Sequence, residues 1–377
     1  MNRRQTEKLT RAVLLCGTPG ECSDFRYASG FALVDPAVYV EHRRQRYLVV
    51  SEMEKGRAQR EALAGVRVLT PSDVDARSLR KRGVSSWALA LLRKLKVRRV
   101  VVSARFPLST AEHLRRNGMA VRVLSPLFPR RERKTAAEAA FIRQSQRAAA
   151  RAMRQAVSLI ARSRIARSGW LLHERRRLTA ERVRREIELS LLQSGCGCAD
   201  AIVAGGAQGA NPHERGSGPL RAHTAIVIDI FPRHGERGYW GDLTRTVVRG
   251  RAPDRIRRMH RAVRAAQRVA LGAVRAGATG RSIHRAAHAE FRRRGFITRL
   301  KGAPCGFIHG TGHGVGLDIN EAPSLNASGG RLKTGHVVTV EPGLYYPGVG
   351  GVRIEDTVLV TARGCRILAS AGSWFEL

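Results

Sequence analysis

Four carboxylates and a histidine stand in short, glycine-punctuated phrases that otherwise read as apolar strands. Asp229 and Asp242 lie in DIFPRHGERGYWGDLTRT, His313 in HGTGHGVGLD, Glu341 in VVTVEPGLYY and Glu355 in GVRIEDTVLV. Nothing else in the chain constrains its fold as strongly, because acids buried together repel one another and resist ionisation. A pair of divalent cations removes that repulsion, and oxygen-rich sites with one imidazole suit such cations. Strand geometry sharpens the point, since alternate side chains share a face. Asp242 then lies with Thr244 and Thr246, Glu341 with Thr339, and Glu355 with Arg353 and Thr357. A single acid on a solvent-facing edge strand would be ordinary. Four, each closing or interrupting an apolar strand, argue for one shared site.

At 377 residues the chain suits two domains. Its 43% hydrophobic content is that of a globular protein, and no apolar run approaches the ~20 residues of a membrane span. Near the N-terminus only Ala12 to Cys16 form an apolar stretch, shorter than the ~7–15 residues of a signal-peptide core. The expectation is a cytoplasmic protein with no membrane partner. Six cysteines in a chain this long make no disulfide framework, and Cys196 and Cys198 lack a second pair at zinc-site spacing.

The charge is the other unusual property: 68 Lys+Arg against 30 Asp+Glu, formally +38, with only eight lysines. A GC-rich genome accounts for arginine in place of lysine but not for the excess of positive charge. Such a field attracts polyanions with strong salt dependence. No nucleic-acid-binding motif accompanies it, and aromatics at 5% are thin for base stacking.

Strand-like and helix-like segments alternate up to about residue 130, which predicts an α/β domain. Residues 12–16, 31–34, 47–51, 66–69, 100–103 and 121–124 read as strands; 52–64, 84–95 and 110–117 read as helices. The stretch SPLFPRRERKT (125–135) combines two prolines with a charge run and marks the boundary. A long helix follows from Thr135, with Ala137, Phe141, Ala148 and Val157 among its apolar positions. Others are expected at 179–195, 253–277 and 282–295, the first capped by Thr179. Residues 224–230, 239–248, 337–341 and 351–360 read as strands, so residues 131–377 form an α+β domain.

Four glycines in HGTGHGVG argue against a helix around His309 and His313 and for backbone passing close to a ligand. His173-Glu174 is not a zinc motif, because residue 177 is Arg, and neither a dinucleotide fingerprint nor a Walker sequence is present. His213, in the loop GANPHERGSG one strand ahead of Asp229, is a candidate acid/base or substrate ligand.

In order and type, Asp229, Asp242, His313, Glu341 and Glu355 resemble the ligand set of the pita-bread metallopeptidases. Those are the methionine aminopeptidases, Xaa-Pro aminopeptidases and Xaa-Pro dipeptidases (prolidases). The YWGDLTRT phrase (239–246) and the SDFRYASGF phrase (23–31) are similar to the Xaa-Pro branch. Creatinase shares the fold but lacks the ligands. The resemblance implies a C-terminal pita-bread (creatinase/aminopeptidase-like) catalytic domain, 131–377, behind a smaller creatinase/prolidase-like α/β domain, 1–130.

It further implies two divalent metals, with manganese favoured and cobalt, zinc or iron also suited. Asp242 and Glu355 would bridge them, Asp229 would bind one, and His313 and Glu341 the other. A metal-bridging hydroxide would attack the peptide carbonyl, and Glu341 would relay the proton to the leaving nitrogen. His213 and His309 would act as catalytic groups steadying substrate or the tetrahedral intermediate. Arg353, on the substrate-binding side, would fix a ligand carboxylate. The activity implied is exopeptidase cleavage of peptides with proline second, as aminopeptidase or dipeptidase, by a homodimer.

Two departures qualify this. The family places a histidine facing the scissile carbonyl seven residues after the ligand histidine, and here that substrate-binding position is Asn320. Its amide donates a hydrogen bond but carries no charge and shuttles no proton. The Asp229–Asp242 spacing is also two residues longer than usual, an insertion read into a hairpin turn. The alternative is a non-catalytic or weakly active pita-bread protein that binds RNA, ribosomes or another polyanion through its arginine-rich surface. Charge and Asn320 favour it; the intact ligand set opposes it.

Overall fold

The computed structural model describes residues 11–20, 22–74, 83–198, 200–301 and 304–377. The chain divides into two compact units, Met1–Arg131 and Glu132–Leu377.

In the first unit one mixed six-stranded sheet comprises β1 (Ala12–Gly17), β2 (Ala37–His42), β3 (Gln45–Val49), β4 (Val66–Leu69), β5 (Arg99–Val102) and β6 (Ala120–Val123). Its order is β4-β3-β2-β1-β5-β6, antiparallel at β1–β2 and β2–β3 and parallel elsewhere. The connecting helices are α1 (Ser23–Ser29), α2 (Lys55–Glu61), α3 (Pro71–Val74), α4 (Val84–Lys94) and α5 (Leu108–Arg116). The central strands β1 and β5 are almost wholly apolar because both of their faces are covered. Leu14, Val38, Val40 and Val100 pack with Leu89 and Leu92. Their alternates Leu15, Tyr39 and Val101 pack with Phe25 and Phe31.

Here the structure departs from expectation. Residues 31–34 form no strand; the strand is β2, just beyond, in a hairpin with β3. Its turn residues, Arg43 and Arg44, both have positive φ (49° and 67°). Such turns normally announce themselves with Asn or Gly, and an Arg-Arg pair hides the signal.

In the second unit α6 (Ala136–Ala161) opens with a capping box. Glu138 N donates to Thr135 Oγ1 (3.2 Å) and Thr135 N to Glu138 Oε2 (2.8 Å), a cap worth about 1 kcal/mol. Its buried stripe runs through Ala139, Ile142, Gln146, Ala149, Met153 and Ile160. Ala137, expected on that stripe, is exposed, and Phe141 is half-buried against Tyr239. A ribbon of β7 (Arg164–Ile165), β8 (Leu171–His173) and β9 (Arg176–Arg177) leads to α7 (Ala180–Leu192), capped by Thr179. β10 (Cys196–Gly197) leads to the three-stranded antiparallel sheet of β11 (Ile202–Gly205), β12 (Ile226–Ile230) and β14 (Leu243–Val247). β13 (Arg233–His234), between the last two, pairs with β10. All six cysteines are free thiols.

Next come α8 (Asp254–Ala273) and α9 (Gly280–Arg293), the latter capped by Thr279. A five-stranded sheet follows, ordered β16-β15-β17-β20-β21. Its strands are β15 (Gly312–Gly314), β16 (Glu321–Leu325), β17 (Val337–Val340), β20 (Asp356–Val360) and β21 (Cys365–Ile367). A ribbon of β18 (Gly343–Tyr346) and β19 (Gly350–Arg353) interrupts it.

Each half follows one plan. Helices α6 and α7 share a core with the first sheet through Met153, Ile187, Ile228 and Val247. Helices α8 and α9 share one with the second through Val263, Phe291, Val338 and Val358. Burying each such side chain contributes about 1.5–3 kcal/mol. The expected single strand at 351–360 is two strands, β19 and β20, broken at Ile354-Glu355, and that break falls on a site residue.

Candidate metal centre

A cavity of about 740 Å³ in the second unit is lined by every residue singled out above: Asp229, Asp242, His313, Glu341, Glu355, His213, His309, Asn320 and Arg353. Register explains the convergence. Asp229 on β12 pairs directly with Thr244 on β14, whose face Asp242 shares one step ahead of the strand. On the second sheet Val340 pairs with Asp356, so Glu341 and Glu355 face each other one step beyond the β17–β20 ladder. Glu355 N donates to Thr244 O at 3.1 Å, tying the two sheets together at the site.

The strand break at Glu355 is held on both sides. Arg245 donates to Glu355 O (2.5 Å) and Asp356 Oδ1 (2.8 Å), and Gln267 to Asp356 Oδ2 (3.0 Å). Gln146, reaching from α6, clamps the Asp242 backbone. Its Nε2 donates to Asp242 O and its Oε1 accepts from Asp242 N, both at 2.7 Å. Glycine at 241 permits that approach, since a Cβ there would lie 2.7 Å from Gln146 N. Gly312, beside His313, likewise passes so close to Thr339 O that a Cβ would overlap it.

The donors themselves are oriented. Thr244 Oγ1 donates to Glu355 Oε2 (2.7 Å), and Thr339 Oγ1 accepts from His313 N (3.0 Å) and donates to Glu341 Oε1 (3.1 Å). His313 Nδ1–H donates to Gly314 O (3.1 Å), which turns the Nε2 lone pair toward Glu341 Oε1 (3.3 Å) and Asp242 Oδ2 (3.6 Å). One ligand atom each from Asp242, His313 and Glu355 lie within 4.8 Å of one another. Asp229 Oδ1 and Glu355 Oε1 are buried with no hydrogen-bond partner among the described residues. Burial, then Glu355, Asp229 and Glu341, hold the Asp242 carboxyl well above the usual carboxylate range. Burial, then Glu341 and Asp229, do the same to Glu355. Orphaned carboxylate oxygens, mutual repulsion and a convergent imidazole are what a divalent cation satisfies, so the residues fit the group.

Arg353 is 4% exposed and fully engaged. It donates to Asp229 Oδ2 (2.7 Å), Thr244 Oγ1 (3.2 Å), Tyr345 Oη (2.7 Å) and Pro212 O (3.3 Å). Burial alone would lower its pKa; Tyr345, Asp229 and Glu341 outweigh that and hold it well above its ordinary range. The carboxylate it grips, Asp229, is one of the candidate ligands, as expected, and Arg353 also lines the cavity. His309, expected to steady substrate or the tetrahedral intermediate, lines the same cavity. Burial pushes it down to about 4, Arg353 and His213 adding to the effect against Glu341, so the ring is neutral. Its Nδ1–H donates to Gly310 O (2.7 Å), and its Nε2 accepts from Tyr345 Oη–H (3.0 Å). Both nitrogens are thus committed to the protein. His213 and Asn320 are the exposed members, on the cavity lining.

Sequence reasoning missed two residues. Tyr345, whose phenol burial pushes up to about 12, links Arg353 to His309. It stood unremarked in VEPGLYY. Gln146 could have been found as a polar residue on the apolar stripe of its helix.

Two helix-backed sheets closing on such a donor set define the pita-bread fold. The solved X-Pro aminopeptidase from Thermotoga maritima MSB8 has the same architecture, with a TM-score of 0.81 at 25% identity over 99% of this chain and 100% of that one. The chain belongs to metallopeptidase family M24, whose profile its residues 140–362 match. It is 37% identical over 171 residues to a Xaa-Pro dipeptidase of Pyrococcus furiosus (45% of this chain, 47% of the relative). It is 35% identical over 189 residues to the uncharacterized peptidase YqhT of Bacillus subtilis (49% and 51%). The matched stretch spans about half the length of each of these curated relatives.

Proposed function

We propose that the chain is a metal-dependent exopeptidase that hydrolyses peptides with proline in the second position. One observation carries this reading: among the described residues, Asp229 and Glu355 each keep a buried, partnerless oxygen in a cavity that His313 also lines. A relative named Xaa-Pro dipeptidase supports the substrate class. Asp229, Asp242, His313, Glu341 and Glu355 would hold two divalent ions, manganese first among the candidates. Bound there, they would neutralise the carboxylates, acidify water and polarise the scissile carbonyl.

The chain's own groups do the rest. Arg353 fixes Asp229, Thr244 fixes Glu355 and Thr339 fixes Glu341, so little reorganisation is left for the reaction. Glu341, half-buried at the cavity, takes the proton from the attacking water and delivers it to the leaving nitrogen. His213 and Asn320, on the exposed lining, meet the substrate, and His309 acts through Tyr345 and Arg353. Residues 1–130 serve as the prolidase-type N-terminal domain, and the enzyme works as a cytoplasmic homodimer.

The test is hydrolysis of an Xaa-Pro dipeptide and an Xaa-Pro-Yaa tripeptide with added manganese, beside chelator-treated and Asp242→Ala protein. Metal-dependent cleavage lost in Asp242→Ala is expected, and the preferred peptide separates dipeptidase from aminopeptidase. Asn320→His should raise turnover by roughly a hundredfold if Asn320 stands where a transition-state donor belongs.

The formal charge of +38 favours a second reading, in which arginine-rich helix faces hold a polyanion. RNA binding whose affinity falls steeply with salt, in protein that cleaves neither peptide, would put that reading first.

A further inference from the structure

Away from the metal centre, a second cavity of about 270 Å³ in the same unit is lined by Glu132, Ser324, Ser328, Arg331, Lys333 and His336, among others. Its chemistry is one-sided. His336 is 1% exposed, and its Nδ1 accepts a hydrogen bond from Lys333 N at 3.2 Å. That acceptor role puts the ring proton of the neutral tautomer on Nε2. Nε2 is buried with no hydrogen-bond partner among the described residues. A buried N–H without an acceptor costs about 1–3 kcal/mol, so the fold keeps a donor here that no group among the described residues satisfies.

The surroundings say what would satisfy it. Arg331 and Lys333 bring two positive charges to the wall against one carboxylate, Glu132. Lys134, nearby, is neutralised by Glu321 at 2.6 Å. The loop is held in place at the N-terminus of α9, where Gly280 N donates to Gly330 O and Arg281 N to Gly329 O. Liquid water takes about 30 Å³ per molecule, so a small tetrahedral ion with a few waters fits. We propose that this cavity is a binding site for a small oxyanion of the phosphate class, held by the His336 Nε2–H, Lys333 and Arg331. The site shares Ser324 with the lining of the metal-centre cavity, yet it does not depend on the peptidase reading.

Calorimetric titration of the metal-loaded full chain with inorganic phosphate tests it, repeated after chelation because metals also bind phosphate. Saturable binding that persists after chelation is expected. It should weaken about tenfold or more in Lys333→Gln and His336→Phe, and tighten in Glu132→Gln. Lys333 is exposed, so its variant reports even if His336→Phe misfolds. Arg258→Gln, on the exposed face of α8, should leave binding unchanged. Binding abolished by chelation alone, binding reduced equally in Arg258→Gln, or no saturable binding would each overturn the proposal.

Discussion

Arg353 Nη2 donates to Asp229 Oδ2 at 2.7 Å, and both side chains are buried. The pair spans two sheets, β19 of one half and β12 of the other, so it fixes the direction of a carboxylate whose second oxygen has no partner among the described residues. Removing the guanidinium strands a buried charge, a change that costs about 3–5 kcal/mol. Arg353→Met is therefore expected to lower stability by that order in metal-free protein and by much less with manganese bound. Urea unfolding in chelator and in manganese measures the difference; equal losses in both would argue that Arg353 serves packing alone.

Asp242 and Glu355 sit well above the usual carboxylate range, chiefly through burial. A carboxyl whose pKa rises on folding binds its proton more tightly in the native state. Its contribution is complete below the unfolded value near 4 and is lost as pH rises toward the folded value. Metal-free protein should therefore weaken as pH climbs above about 4, and a divalent ion, which displaces those protons, should reverse the loss. Thermal unfolding with chelator and with manganese should show a metal-induced rise in Tm that is larger at about pH 8 than at about pH 5. A rise independent of pH would count against the assignment.

Gln146 satisfies both backbone groups of Asp242. Gln146→Leu keeps the volume and leaves a buried N–H and C=O unpaired, for a loss of about 1–3 kcal/mol. Peptide turnover should fall with it, because Asp242 loses its brace. Metal affinity is the discriminating readout: weaker binding at unchanged fold indicates positioning, whereas unchanged binding leaves only a structural role.

His260 stacks on Phe375 with ring centroids 3.8 Å apart. Burial, then Arg264, push it down to about 4 against the pull of Glu376. A histidine held neutral contributes stability that is full above its unfolded value and is lost as pH falls toward the folded one. The ordinary value near 6.5 places the loss between about pH 6.5 and 4, roughly 2 kcal/mol by pH 5. His260→Phe keeps the stack and removes the titration, so its denaturation midpoint should fall less between about pH 7.5 and 5 than that of the parent chain. Parallel slopes would refute the idea.

The sequence by itself determined the inventory. Apolar alternation and caps located most strands and helices, and acids interrupting apolar strands named Asp229, Asp242, Glu341 and Glu355, because burying an unpaired charge is costly enough to need a reason. Local signals failed where the cause was not local. The Arg43-Arg44 turn adopts positive φ without a residue that advertises it, and the strand break at Glu355 depends on Arg245 and Gln267, more than 80 positions upstream. Only the tertiary structure decided what each polar group faces. It turned Arg353 onto Asp229, committed both nitrogens of His309 through Tyr345 and Gly310, and brought Gln146 to Asp242 across 96 positions of chain. A hydrogen bond is set by ångström-scale placement of two groups, and the register and packing that supply it come from the whole sheet rather than from the residues beside them.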